Sequence, residues 1–314
     1  MQPLVTIPIA AYKSRPDHLQ MAIQSALSQS IKDIEIIVSD DSPDDSLRRI
    51  VDTFRDARIS YHHNNPRLGV AKNHWRAFEN ARGEFIAVLN HDDVIAVNFL
   101  EKLVNPLLAD PNLAIAFCDH WVIDLEGRQL LDESNHIKQI WGRDKIIPGV
   151  VMPFYHLFVA QSVPMVMGAV FRKNLFPSNP PDLAGPAYDL WMTYLLCREG
   201  RGAYYTPERL SSWRAHPKNI TSQGGLDWFY GSAKCWATAG RDANFLPYKS
   251  QILRKAAIGY FNCALFELRR GKTWSAFLFG LRSIKTKPTS KGFTACLLPV
   301  LPKPIRCRLL RNKT

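Results

Sequence analysis

The chain lacks most of the features that assign a protein to a class at a glance. No run reaches the ~18 uncharged apolar residues that a membrane-crossing helix requires. Its six cysteines (Cys118, Cys197, Cys235, Cys263, Cys296, Cys307) are scattered and form no CxxC pair. That argues against a zinc site or a disulfide framework and for a reducing cytoplasm. The opening residues, Met1 to Ile9, carry no basic stretch and run straight into a strand, so no secretory signal is expected. No internal repeat or low-complexity run is present. No Ser/His/Asp or Cys/His arrangement stands out, which leaves acyl-enzyme chemistry without support. Acids are nearly missing from the end of the chain. Between Gln251 and Thr314 stand 14 of the 40 basic residues and one of the 28 acids, Glu267, leaving 26 bases and 27 acids elsewhere. The net charge of +12 is therefore a cationic tail on a near-neutral body. With 46% hydrophobic and 22% charged residues, the 314 residues suit one large globular domain or two modest ones.

What is present is a pair of acidic doublets, Asp40-Asp41 and Asp92-Asp93, each closing a short apolar run. The runs, Ile34 to Ser39 and Glu84 to His91, read as buried strands of a largely parallel sheet. Ligands of open α/β sheets sit beyond the carboxyl ends of such strands. Paired carboxylates there suit a ribose, a base edge or a hard divalent metal carrying phosphates. Ordinary turn chemistry is the other reading, since Asp and Ser commonly follow strands; two doublets on two strand ends favour the site.

The rest of the first half alternates. Strands are expected at Val5–Ile9, Ile34–Ser39, Arg58–His62 and Glu84–Leu89. Helices are expected around Leu19–Leu27, Leu47–Phe54 and from Leu68 through Trp75 and Phe78. This β-α-β-α-β-α-β order yields a parallel sheet with right-handed crossovers. Beyond Asp93 the pattern loosens: a helix over Phe99–Leu108, a strand over Ala114–Val122, polar irregular chain from Asp124 to Pro148, a strand over Met165–Phe171, and a helix from Asp189 to Glu199 stopped by Gly200. After about Trp228 the chain reads as interrupted helices.

With these motifs in order, roughly residues 3 to 225 resemble family 2 glycosyltransferases, the inverting group with the GT-A fold. Val5-Thr6-Ile7-Pro8-Ile9-Ala10-Ala11-Tyr12 resembles the opening strand and loop that hold the nucleotide base. There Ala10 contributes backbone and Tyr12 a stacking face, with Pro8 also among the implied donor-binding residues. Ile23 to Ser30 matches the helix end usually read as SxLxQT. Val38-Ser39-Asp40-Asp41-Ser42 matches VDDGS, which assigns Asp41 to the base and leaves Asp40 a structural role. Lys72 and Asn73 stand where members carry the Arg-Asn of GxxxARN. Asn90-His91-Asp92-Asp93 lies at the DXD position, giving Asp92 to the ribose and Asp93 to Mg²⁺ or Mn²⁺ on the diphosphate. Asp189, after Tyr188, is in register with the acid of the ED motif. Thr206 to Leu210 and Trp213-Arg214-Ala215-His216-Pro217 resemble PEPLxxYRxH, the segment closing the site.

The resemblance implies a Rossmann-like GT-A domain over 1–228, with a nucleotide half at 1–95 and an acceptor half at 96–228. A helical, basic region follows over 229–314. Asp189 is the implied general base, because inversion needs a carboxylate near the attacking hydroxyl. Asp93, with His216, is the implied metal holder; Arg214 and Trp191 are implied contacts to diphosphate or acceptor. Each residue keeps a plainer alternative: a helix cap for Asp189, a solvated loop histidine for His216, packing for Tyr12 and Trp191. The implied reaction passes a sugar from a nucleotide donor, with a lean to UDP, to a saccharide or lipid-linked saccharide.

In the tail, Trp274 to Leu281 and Phe293 to Leu301 are apolar clusters, followed by Lys303, Arg306, Arg308, Arg311 and Lys313. Such clusters edged by bases favour an anionic membrane interface, so a peripheral place on the inner face of the plasma membrane is expected. A helical cap with a solvated basic end is the alternative. Two rivals from other classes are a nucleotidyltransferase, against which Ala10 to Pro16 shows no glycine, and a nucleic-acid binder, against which the charge is confined to the tail. A binding-only relic of the enzyme is a third.

Overall fold

The computed structural model describes residues 2–177, 185–215 and 225–302. By compactness the chain forms two units, Met1–Pro181 with Met192–Asn219, and Asp182–Trp191 with Ile220–Thr314.

The first unit is built on β1 (Val5–Ala11), buried at every position, as expected of a strand covered on both faces. α1 (Pro16–Leu27) follows, with proline in its first turn and Leu19, Ala22, Ile23 and Ala26 turned inward. β2 (Ile34–Asp40), equally buried, runs parallel to β1 from Val5↔Ile34 to Ala11↔Asp40. Then come α2 (Arg48–Asp52), β3 (Ile59–His63), parallel to β2, and α3 (Val70–Asn80). Where one strand was expected over 84–89 there are two, β4 (Phe85–Ala87) and β5 (Leu89–Asn90), both parallel to β1. β4 pairs with Val5 and Thr6, and β5 with Ile9 and Ala10. The gap faces Pro8, which has no N–H to give the ladder.

From β6 (Val94–Ile95) onward the sheet becomes mixed. α4 (Phe99–Ala109) leads to β7 (Leu113–Ile123) and β8 (Gln129–Leu130). α5 (Leu131–Ile140) fills a stretch expected to be irregular. Only Ser134 of that helix is buried, so it has no apolar stripe to read; its hydroxyl accepts from Val122 N at 2.8 Å. β9 (Gly149–Val151), α6 (Tyr155–Ala160) and β10 (Ala169–Arg172) follow. The strand expected at 165–171 starts later, because Met167 and Gly168 turn back onto the Pro164 carbonyl. β11 (Gly202–Arg214) closes the unit. The sheet order is β3-β2-β1-β4-β10-β7-β11-β6. β10 runs antiparallel to both β4 and β7, whereas β11 is parallel to β7. The apolar core lies between this sheet, α1 and α4.

Among the described residues the second unit holds the start of α7 (Tyr188–Cys197) and the α-helices α8 (Leu226–Ala239), α9 (Lys249–Arg269), α10 (Thr273–Thr286) and α11 (Ser290–Leu297). Among the described residues no helix is long and apolar enough to cross a membrane.

Candidate functional site

In the first unit the carboxyl ends of β1, β2 and β5 stand side by side, with Ala11 level with Asp40 and Ala10 level with Asn90. The two acidic doublets therefore leave the sheet on either side of β1. This is the crevice expected of a parallel sheet.

On the β2 side the two acids divide their work. Asp40 is fully buried; it accepts from Ser42 N at 2.8 Å and from the Tyr61 hydroxyl at 2.7 Å, a structural role as expected. Asp41, 2% exposed, accepts from Leu68 N at 3.0 Å, Asn64 Nδ2 at 3.1 Å and Gly69 N at 2.7 Å. It thereby anchors the turn into α3, where Gly69 stands at φ +84°, a conformation that favours glycine. Asn73 is buried and donates to the Ala11 carbonyl at 3.2 Å while accepting from Asn64 at 2.9 Å. Lys72 is exposed on the same helix. Tyr12, just past β1, carries the Arg67 guanidinium 4.0 Å over its ring, and Arg67 reaches Asp41 at 3.8 Å. Asn64 and Arg67 are members of this group that sequence reasoning missed. Arg67 had a signal, since it stands directly before the Leu68-Gly69 pair that was read. Pro8 lies inside β1 and Ala10 near its end, both buried.

On the β5 side, Asp93 is 3% exposed and Asp92 half-buried. Asp93 accepts from Arg214 N and from Asn90 Nδ2, each at 2.8 Å. Burial, with the neighbouring Asp92 charge, pushes the Asp93 carboxyl up to about 8. Arg214, at the end of β11 and 1% exposed, donates from Nε to the Asp92 carbonyl at 2.8 Å. Its Nη1 donates to the carbonyls of Asp124 at 2.8 Å and Leu125 at 3.0 Å. His18 of α1 meets the same Leu125 carbonyl at 3.2 Å.

Could the doublet hold a divalent cation? Two adjacent carboxylates supply hard oxygens. Burial, with the Asp92 charge beside it, disfavours an uncompensated Asp93 carboxylate, a cost that a cation would relieve. The donor set fits a site completed by a ligand's own phosphates. No group of three or more potential protein ligands occurs among the described residues.

Further along β7, Asp119 is buried and accepts from Arg143 Nε at 2.8 Å and the Tyr205 hydroxyl at 3.0 Å, with Lys138 Nζ at 2.6 Å. This polar network was not read from the sequence, because its members are spread over β7, the α5 region and β11.

Asp189 and Trp191 belong to the second unit, in the first turn of α7. Asp189 is half-buried and accepts from Leu190 N at 2.8 Å. Burial raises its carboxyl above the ordinary range, outweighing the backbone hydrogen bonds that lower it. Trp191 is buried. His216 lies outside the described residues.

Residues 6–159 match the model of glycosyl transferase family 2. An uncharacterized glycosyltransferase of Rickettsia typhi is 28% identical over 222 residues, covering 70% of this chain and 66% of its own length. The Escherichia coli protein WfaP, a UDP-Glc:alpha-D-GlcNAc-diphosphoundecaprenol beta-1,3-glucosyltransferase, is 42% identical over 90 residues, or 29% of this chain and 36% of that one. This chain thus spans less than two thirds of either relative. Among solved structures, S. aureus TarS with UDP-GlcNAc superposes with a TM-score of 0.65 at 13% identity, over 94% of this chain and 90% of that one. A mannosyltransferase from Pyrobaculum calidifontis with GDP-Man and Mn²⁺ gives 0.54 at 18%, over 96% and 88%. At such identities the likeness is one of fold.

Proposed function

The chain belongs to glycosyl transferase family 2 and carries its GT-A fold, and from that premise we propose that it transfers one sugar, with inversion, from a UDP-sugar to a saccharide or lipid-linked saccharide. The observation that carries this reading is the pair of acidic doublets leaving neighbouring strand ends on either side of β1. The lean to UDP and to a lipid-linked acceptor is supported by the activity of WfaP, the relative with 42% identity over 90 residues.

The chemistry assigns each residue a task. Tyr12 offers its ring to the base, and Ala10, Asp41 and Asn73 shape the wall behind it. Asp41 keeps the turn at Leu68–Gly69 in place, so the wall stands before a ligand arrives. Asp92, the more open acid, takes the ribose hydroxyls. Asp93, with the Asp92 charge beside it, would hold Mg²⁺ or Mn²⁺, which would supply positive charge to the departing diphosphate. Arg214 positions the doublet by gripping the Asp92 carbonyl. Asp189 takes the proton from the acceptor hydroxyl as that oxygen bonds to the anomeric carbon. The bond from that carbon to the phosphate oxygen breaks, and the nucleoside diphosphate leaves with its electrons. Burial has already raised the proton affinity of Asp189, which suits a base working near neutral pH. The basic, apolar tail supports a peripheral place for the enzyme on the inner face of the plasma membrane.

The test is a nucleotide-sugar panel scored by thermal shift and by release of nucleoside diphosphate, with and without Mn²⁺. A UDP-sugar is expected to give the largest shift, and more with metal. No response to any nucleotide sugar would overturn the reading.

A further inference from the structure

The helices of the second unit carry a surface that the transfer reaction does not use. α10 and α11 pack against each other through small residues. A Cβ on Gly280 would lie 2.9 Å from the backbone of Ala295 and Cys296, and one on Gly292 would lie 3.1 Å from Ile284. Both helices turn an inner face to α9: Ala295 packs with Phe261 and Ala264, and Ala276 and Leu298 pack with Leu268. The outer faces are then turned away from α9. On α10 that outer face carries Trp274, Leu278 and Leu281 at helical spacing, with Lys285 one turn on. On α11 it carries Phe293 and Leu297, with Val300 just beyond. Trp274 is 70% exposed, Leu297 61% and Val300 69%, with Phe293 at 53% and Leu278 at 43%. Five large apolar side chains within 27 residues stand in water, more than scattered surface hydrophobes explain.

The geometry points to this outer face of α10 and α11 as a docking surface for an anionic lipid bilayer. It rests on the peripheral location proposed above and names the face that makes the contact. Charge chooses the occupant. From Gln251 onward the chain has 14 bases and one acid, and Lys272 and Lys285 flank the α10 stripe. A second copy meeting the same face across a two-fold axis would bring these bases against their own kind. A bilayer with anionic headgroups supplies an apolar phase for the stripe and opposite charge for its edge. Trp274 suits the headgroup level, where an amphipathic ring is favoured, and lysine stems can lie along the apolar surface with their ammonium groups in water.

The test uses the full chain with vesicles of phosphatidylcholine and phosphatidylglycerol, and with phosphatidylcholine alone. Co-sedimentation is expected only with the anionic vesicles, weakening as salt rises. The triple variant Trp274→Ser/Leu278→Ser/Leu297→Ser should bind them about tenfold less or weaker still. Its melting temperature and UDP binding should be unchanged, since the three side chains project into water. Wild-type binding that the triple variant retains would overturn the face but keep the peripheral location; no wild-type binding would overturn both. A wild-type dimer made monomeric by the same substitutions would assign the face to a second copy and overturn the proposal. Loss of UDP affinity in the wild type bears on the donor reading alone.

Discussion

Asp93 and Asp189 are carboxylates whose hold on a proton is raised by burial. The Asp93 carboxyl is raised to about 8 by burial and by Asp92, above its value in the unfolded chain. Without a cation, its contribution to stability is fully present only below the unfolded value and is lost as pH rises through about 8. A divalent ion takes the proton's place. Mn²⁺ should therefore raise the melting temperature more at pH 9 than at pH 6, by about 5 °C at saturating metal, and Asp93→Asn should flatten that difference in differential scanning fluorimetry. Asp189→Asn should lower transfer by roughly 10²–10⁴-fold while UDP binding measured by calorimetry stays unchanged. The acidic limb of the wild-type rate profile should lie above the ordinary carboxylate range, because burial raises this group. The doublets were legible because carboxylates after apolar runs are a local pattern. Arg214 was legible as a residue but not as a clamp, since its carbonyl partners Asp124 and Leu125 lie about ninety positions earlier.

At the scale of the element, the parallel half of the sheet was readable from its apolar runs, and the mixed half only in part: β7 and β10 were expected, whereas the short β6, β8 and β9 and the long β11 were not. β1 and β2 are continuous apolar runs. β11, by contrast, shows no alternation of buried and exposed residues, carries Pro207 within it and is broken by irregular register around Arg209, so its 13 residues read as motif rather than strand. α5 escaped for want of a stripe. One close approach between elements gives a sharp prediction. Gly83 donates from its N–H to Thr6 Oγ1 at 2.9 Å, and a Cβ there would come within 2.5 Å of Thr6 N and 2.8 Å of Val5 C. Those atoms are backbone of the central strand and can yield only by moving it. Gly83→Ala should cost about 1–3 kcal/mol, read as a lower urea midpoint with an unchanged slope. Melting unaltered from wild type would mean that β1 has slack.

Across the whole molecule, charge is the property that sequence alone located best, because counting needs no geometry. A near-neutral body of 250 residues and a strongly basic remainder are visible in the letters. Which apolar residues of that remainder stay in water was not visible, because Trp274 and Phe261 look alike until Phe261, on α9, is seen to lie under Ala295 of α11. The doublets themselves depend on distant chain. Arg214 joins its own strand end to the Asp92 and Asp124 segments, and Ala215 N donates to the Ile123 carbonyl at 2.9 Å. Replacing Arg214 with alanine should raise amide exchange in residues 90–95 and 122–126 together, by mass spectrometry; a rise confined to one segment would show that they open separately.

That guanidinium also bears on how the molecule could be altered over time. One buried cation satisfies three backbone oxygens, and carbonyls have no side chain to vary, so residues 124 and 125 are free to change identity while the clamp persists. The loops can then drift toward new sugars without losing their place. The arginine has no such latitude, because lysine has only a single nitrogen where the planar fork divides its donors between Nε and Nη1.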